Sequence, residues 1–106
     1  MKNEKQYNLE NKTLNFAINC HNFTKNLKKS FSNVEYIKQL IRSSASVAAN
    51  YIEANEAISK KDFIFRIKIC RKEIKESRLW LNLIETNNIH EQNNLIQEST
   101  ELMKIF

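Results

Sequence analysis

The chain has 106 residues, contains neither Gly nor Pro, and sets 17 Lys and Arg against 12 Asp and Glu for a net charge of +5. That length makes one domain, and the lack of Gly excludes Gly-rich phosphate loops and the tight turns that close antiparallel sheets. No apolar run reaches the roughly 20 residues that span a bilayer, so an all-α protein of the cytoplasm follows, with no membrane segment and a positive charge that fits an anionic partner without demanding one.

Residues 1–12 are polar and have no repeating apolar face, so they are expected to form a flexible leader to a bundle domain over 13–106. Phe16, Cys20, Phe23 and Leu27 then recur with the spacing of one helical face, which Leu14, Ala17 and Ile18 widen. Lys25, Lys28 and Lys29 close this first helix at the negative end of its dipole. Ser32 and Glu35 have capping-box spacing and are expected to start the second helix. Its core face reads as Ile37, Ile41, Ser44, Ala48, Ile52 and Asn55, with Leu40, Val47, Tyr51 and Ala54 as a second, partly apolar face. The small residues Ser43, Ser44, Ala45, Ser46, Ala48 and Ala49 let a neighbouring helix approach closely. Asn55 or a neighbour is expected to end this helix in the left-handed conformation that Gly usually supplies.

Ser59 with Asp62 repeats the cap spacing and opens a third helix to about Glu85, striped by Phe63, Ile67, Cys70, Ile74, Ser77, Leu81 and Ile84. Asn88 with Glu91 opens a last helix through Leu95, Ile96, Leu102, Met103 and Phe106. Four antiparallel helices joined by short turns, an up-and-down bundle, hide these stripes most simply. Cys20 and Cys70 sit at apolar positions and read as buried small hydrophobes rather than a disulfide.

The residue pattern argues against an enzyme. Di-metal bundles use Glu-x-x-His, whereas Glu53 and Glu56, and again Glu73 and Glu76, place Glu at both ends. Neither His21 nor His90 has a Glu three residues before it. Cys20 and His21 diverge by about 100° on a helix and cannot act as a pair. No metal, cofactor or catalytic residue is assigned. Asn50, Glu53, Glu73, Glu76 and Ser77 lie on or beside packed faces and are read as structural polar groups that bond between helices or subunits, because acid–base work would need a nucleophile or pocket.

Lys60, Lys61, Lys68, Arg71, Lys72, Lys75 and Arg78 give the third helix a basic stripe, the candidate surface for RNA or DNA. The opposing reading is a solvated face, with Asp62–Arg66 and Lys72–Glu76 as helix-supporting pairs. Phe65, Ile69 and Trp80 form a further apolar row, either covered by the bundle or used as a subunit interface.

Arg42-Ser43-Ser44, Ser46-Val47-Ala48-Ala49-Asn50-Tyr51, Glu53-Ala54-Asn55-Glu56-Ala57, Ser59-Lys60-Lys61-Asp62-Phe63-Ile64 and the segment from Glu73 to Trp80-Leu81 resemble the four-helix-bundle proteins of the 23S rRNA intervening-sequence family. The resemblance runs from about Phe16 onward. It implies a four-helix protomer in a ring-shaped homopentamer, no catalytic residues to transfer, and a relation to accessory proteins that work with reverse transcriptases of diversity-generating retroelements. Two functions stand side by side. One is a non-enzymatic oligomer that binds RNA or other nucleic acid, and the other is a scaffold that recruits a protein partner such as a reverse transcriptase.

Overall fold

Four α-helices and no strand make up the described residues 4–106 of this computed structural model. They are α1 (Glu4–Thr24), α2 (Phe31–Asn55), α3 (Lys60–Leu83) and α4 (Ile89–Ile105). Helix α1 begins at Glu4, within the span expected as a leader. Leu9 and Thr13 are in phase with Phe16 and Cys20 and are buried with them, so the core continues past the last strongly apolar turn. The first three residues of the expected leader lie outside the described residues.

The helix starts follow side-chain oxygens. Ser59 accepts from the Asp62 N–H at 3.0 Å, and Asn88 accepts from the Glu91 N–H at 3.3 Å, at the caps expected for α3 and α4. For α2 the cap is Ser30 rather than Ser32, with Ser30 Oγ accepting from the Asn33 N–H at 3.2 Å. Asn33 decides this. Its Nδ2 donates to the carbonyls of Lys28 (3.0 Å) and Glu85 (2.8 Å), and its Oδ1 accepts from the Glu85 N–H (2.9 Å). That buried amide fixes the helix one half-turn earlier and ties the α1–α2 turn to the end of α3. The end of α2 also differs from expectation, for no described residue has a positive φ. Asn55 stays helical and donates to Glu10 on α1 at 3.2 Å, while Glu56 closes the helix at φ −100 and ψ 10.

Each helix packs on two others: α1 on α2 and α4, and α3 on α2 and α4. Because α2 lies between α1 and α3, its buried arc is centred between the two faces read from the sequence. Leu40, Val47, Tyr51 and Ala54 are core, with Ile37 and Ser44, whereas Ile41 and Ile52 remain 39 % and 50 % exposed. This reverses the expected ranking of the faces. On α3 the stripe holds from Cys70 through Ile74, Ser77 and Leu81 to Ile84, and loosens at the N-terminal end, where Ile67 is half-buried and Phe63 exposed. Leu95 and Leu102 of α4 complete the core, with Ile96, Met103 and Phe106 packed at its edge.

Small side chains bring α2 and α3 close. Ser43 Oγ and Ser77 Oγ share a hydrogen bond of 2.8 Å, and each hydroxyl also reaches a carbonyl on its own helix, Leu40 at 3.4 Å and Glu73 at 2.9 Å. The Cys70 thiol reaches the Val47 carbonyl at 3.6 Å, a side-chain contact to the neighbouring backbone that bulkier residues would prevent. Both cysteines are free and buried. Burial pushes both thiols up, Cys70 to about 12. Native protein is therefore expected to resist thiol-specific alkylation at neutral pH and to react at both positions once denatured. Rapid labelling under native conditions would contradict this.

Candidate functional site

Starting from the Ser59 cap, the 3.6-residue turn of α3 projects Lys60, Lys61, Lys68, Arg71, Lys72, Lys75 and Arg78 into one arc of about 120°. Only Ile64, Leu79 and Asn82 share it. All the basic residues are exposed except Arg78, which is half-buried. Lys68, Arg71, Lys72 and Lys75 converge with Glu76 on a groove of ≈ 390 Å³. Lys60 and Lys61 stand about 10 Å further toward the helix start. The Arg71 guanidinium is anchored, since Nη1 donates to the Met103 carbonyl at 3.0 Å near the end of α4.

The charge of this arc is left uncompensated by an arrangement centred on α2. Neither helix-supporting pair expected from the sequence forms. Arg66 Nη1 instead donates to Asn50 Oδ1 at 3.1 Å. Glu76 accepts from Arg42 Nη2 at 2.6 Å, and Glu73 from Nη1 of the same guanidinium at 2.9 Å. Both ion pairs cross the α2–α3 seam. The hydrogen bond to Glu76 raises the Arg42 pKa above its ordinary value, with burial opposing and Glu73 adding to the rise. One arginine thus takes both carboxylates and leaves the lysines of α3 without an acidic partner.

Asn50, Glu73, Glu76 and Ser77 each bond from one of these two helices to the other, whereas Glu53 is exposed and makes no such bond. In the apolar row Phe65 is 56 % exposed, while Ile69 and Trp80 are half-buried. Trp80 stacks on Tyr36 of α2 with ring centroids 6.1 Å apart, so much of it serves the protomer itself. Arg66 covers the Phe65 ring at 5.9 Å. Sequence reasoning missed Arg42 as a partner and Asn33 as a clamp. The signal for Asn33 was present, because it shares its phase with Ile37, Leu40 and Ser44.

The model of the family described as 23S rRNA-intervening sequence protein matches residues 5–106. The chain belongs to that family. Among solved structures, a protein of unknown function from the S23 ribosomal protein family of Bacteroides thetaiotaomicron is similar, with a TM-score of 0.80 and 32 % identity. The match covers 92 % of this chain and 93 % of that one. No curated protein matches the chain.

In this member of the 23S rRNA-intervening sequence family, a further cavity of ≈ 830 Å³ lies at the end of the bundle where the α1–α2 and α3–α4 turns meet. Its polar lining is mainly amides, among them Asn26, Asn82 and Asn88, with Lys28 and Glu85. Gln92 is already committed there, donating to the Leu81 and Ile84 carbonyls at 2.8 and 2.9 Å. Among the described residues no group of His, Cys, Asp and Glu is placed to hold a metal ion, and no helix is long and apolar enough to cross a membrane.

Arg42 is the residue whose loss tests the α2–α3 seam. Its side chain is 51 % exposed but that of Glu73 only 6 %, so Arg42→Ala strands a buried carboxylate. The expected cost is about 2 kcal/mol, between that of surface and buried pairs. Urea denaturation measures it, and Glu73→Gln should recover part of the loss in the Arg42→Ala background.

Proposed function

We propose that this chain is a non-enzymatic, oligomeric four-helix protein that binds RNA or other nucleic acid through the basic arc of α3. One observation carries the reading: Arg42 holds Glu73 and Glu76, and Lys68, Arg71, Lys72 and Lys75 gather around one groove without an ion-pair partner. Such cations neutralise phosphates and release counterions, the main sequence-independent term in nucleic-acid affinity. With about five phosphate contacts per protomer, affinity for duplex RNA falls about 500-fold between about 50 and 200 mM salt. Fluorescence anisotropy across that range tests the reading, and a change below about tenfold rejects it.

The helices run in antiparallel, up-and-down order. Support comes from the bonds of Asn33, at the start of α2, to Glu85 beyond α3, and of Asn50, near the end of α2, to Arg66 near the start of α3. The protomer works in the cytoplasm as a ring-shaped homopentamer joined in part through Phe65, Ile69 and Trp80. Repetition of the arc around the ring multiplies a weak contact. Size-exclusion chromatography with light scattering is expected to give the mass of a pentamer of 12.6 kDa protomers. A monomer at micromolar concentration rejects the assembly.

A second reading is a scaffold that recruits an enzyme such as a reverse transcriptase. It is favoured by Phe65, a large ring left 56 % exposed beside the arc. Docking through an apolar row is far less sensitive to salt than phosphate binding, so the same titration separates the two.

A further inference from the structure

The arc of α3 holds cations, two aliphatic side chains and the Asn82 amide, but no aromatic ring. Proteins that bind single strands without sequence preference combine a basic groove with rings on which unpaired bases stack. The rings on its flanks, Phe65 and Phe63, are 56 % and 39 % exposed but lie outside the arc. Phe65 lies under the Arg66 guanidinium, and Trp80 stacks on Tyr36 with its indole Nε1 buried. The basic residues also run along a rigid rod: from Lys60 to Arg78 they span about 27 Å of helix, the axial rise of about eight base pairs. Lys68, Arg71, Lys72 and Lys75 lie within the middle of that length. The rod presents charge to a regular ladder of phosphates, and the arc that bears the cations holds no ring for a splayed base.

We propose that the ligand of this surface is the phosphate backbone of a double helix, bound by shape and charge, rather than unpaired nucleotides. The proposal rests on the nucleic-acid reading above and narrows it to one class of ligand. Duplex RNA and duplex DNA share that chemistry, and the experiment distinguishes them.

The test uses the full chain and four fluorescein-labelled probes: a 20-base-pair (~20) RNA duplex, the DNA duplex of the same sequence, and one unstructured single strand of each, read by anisotropy at about 0.1 M salt. Counterion release scales with about 0.9 per contact on a duplex and about 0.7 on a single strand, so five contacts separate the two by about tenfold. At least one duplex is expected to bind that much more tightly than either single strand, and the tighter duplex identifies the natural source of the backbone. Single strands that bind as well as both duplexes overturn the proposal and leave the nucleic-acid reading standing. Failure to bind any of the four overturns both.

Discussion

Lys68→Glu, Arg71→Glu and Lys75→Glu together are expected to lower affinity for nucleic acid by two to three orders of magnitude at about 0.1 M salt. Each phosphate contact contributes about eightfold at that concentration, so losing three per protomer removes a factor of about 500 before any repulsion from the new carboxylates. The salt slope should fall by about 2.7 in the same variant. All three side chains are exposed, so the fold has little reason to respond, although Arg71→Glu gives up its bond to the Met103 carbonyl. The control is Lys12→Glu, Lys25→Glu and Lys38→Glu, also at exposed positions. Each reversal removes two charges, so both variants move the net charge from +5 to −1. If the two lose affinity equally, binding depends on net charge and the arc has no special part in it. If only the first loses it, the arc is the surface.

Cys70→Asp is expected to abolish the cooperative unfolding transition at room temperature. Cys70 is fully buried, and its thiol points at the Val47 carbonyl, an acceptor that repels a carboxylate. Placing an unpaired charge there costs several kcal/mol against a total stability of about 5–15 kcal/mol, and protonating the carboxyl to avoid the charge carries a similar penalty at neutral pH. Cys70→Ala at the same position removes only a small side chain and should cost about 1 kcal/mol. Thermal melts followed by circular dichroism distinguish the two substitutions. An aspartate variant that melts with the wild type would show that Cys70 does not lie in the α2–α3 contact.

The sequence by itself determined the helical class, the number of helices and two of the three interior helix starts. No Gly or Pro interrupts the 3.6-residue periodicity, and Ser59 and Asn88 stand three residues before the backbone donors they satisfy. The basic arc was legible for the same reason, since a helical wheel needs only residue order and the pitch of the helix. Three things waited for the tertiary structure. Which face of α2 is buried depends on where α1 and α3 stand, so Leu40 and Val47 displaced Ile41 and Ile52, although all four are apolar. The start of α2 is decided by Asn33, whose partners Lys28 and Glu85 lie on either side of it in sequence and far apart from each other. The charge state of the arc depends on Arg42, which lies 31 and 34 residues from Glu73 and Glu76 in the chain. Local spacing would pair Glu76 with Lys72 on its own helix. Packing presents it instead to a planar guanidinium on the adjacent helix that also satisfies the buried Glu73, and a two-carboxylate fork outcompetes a single exposed lysine.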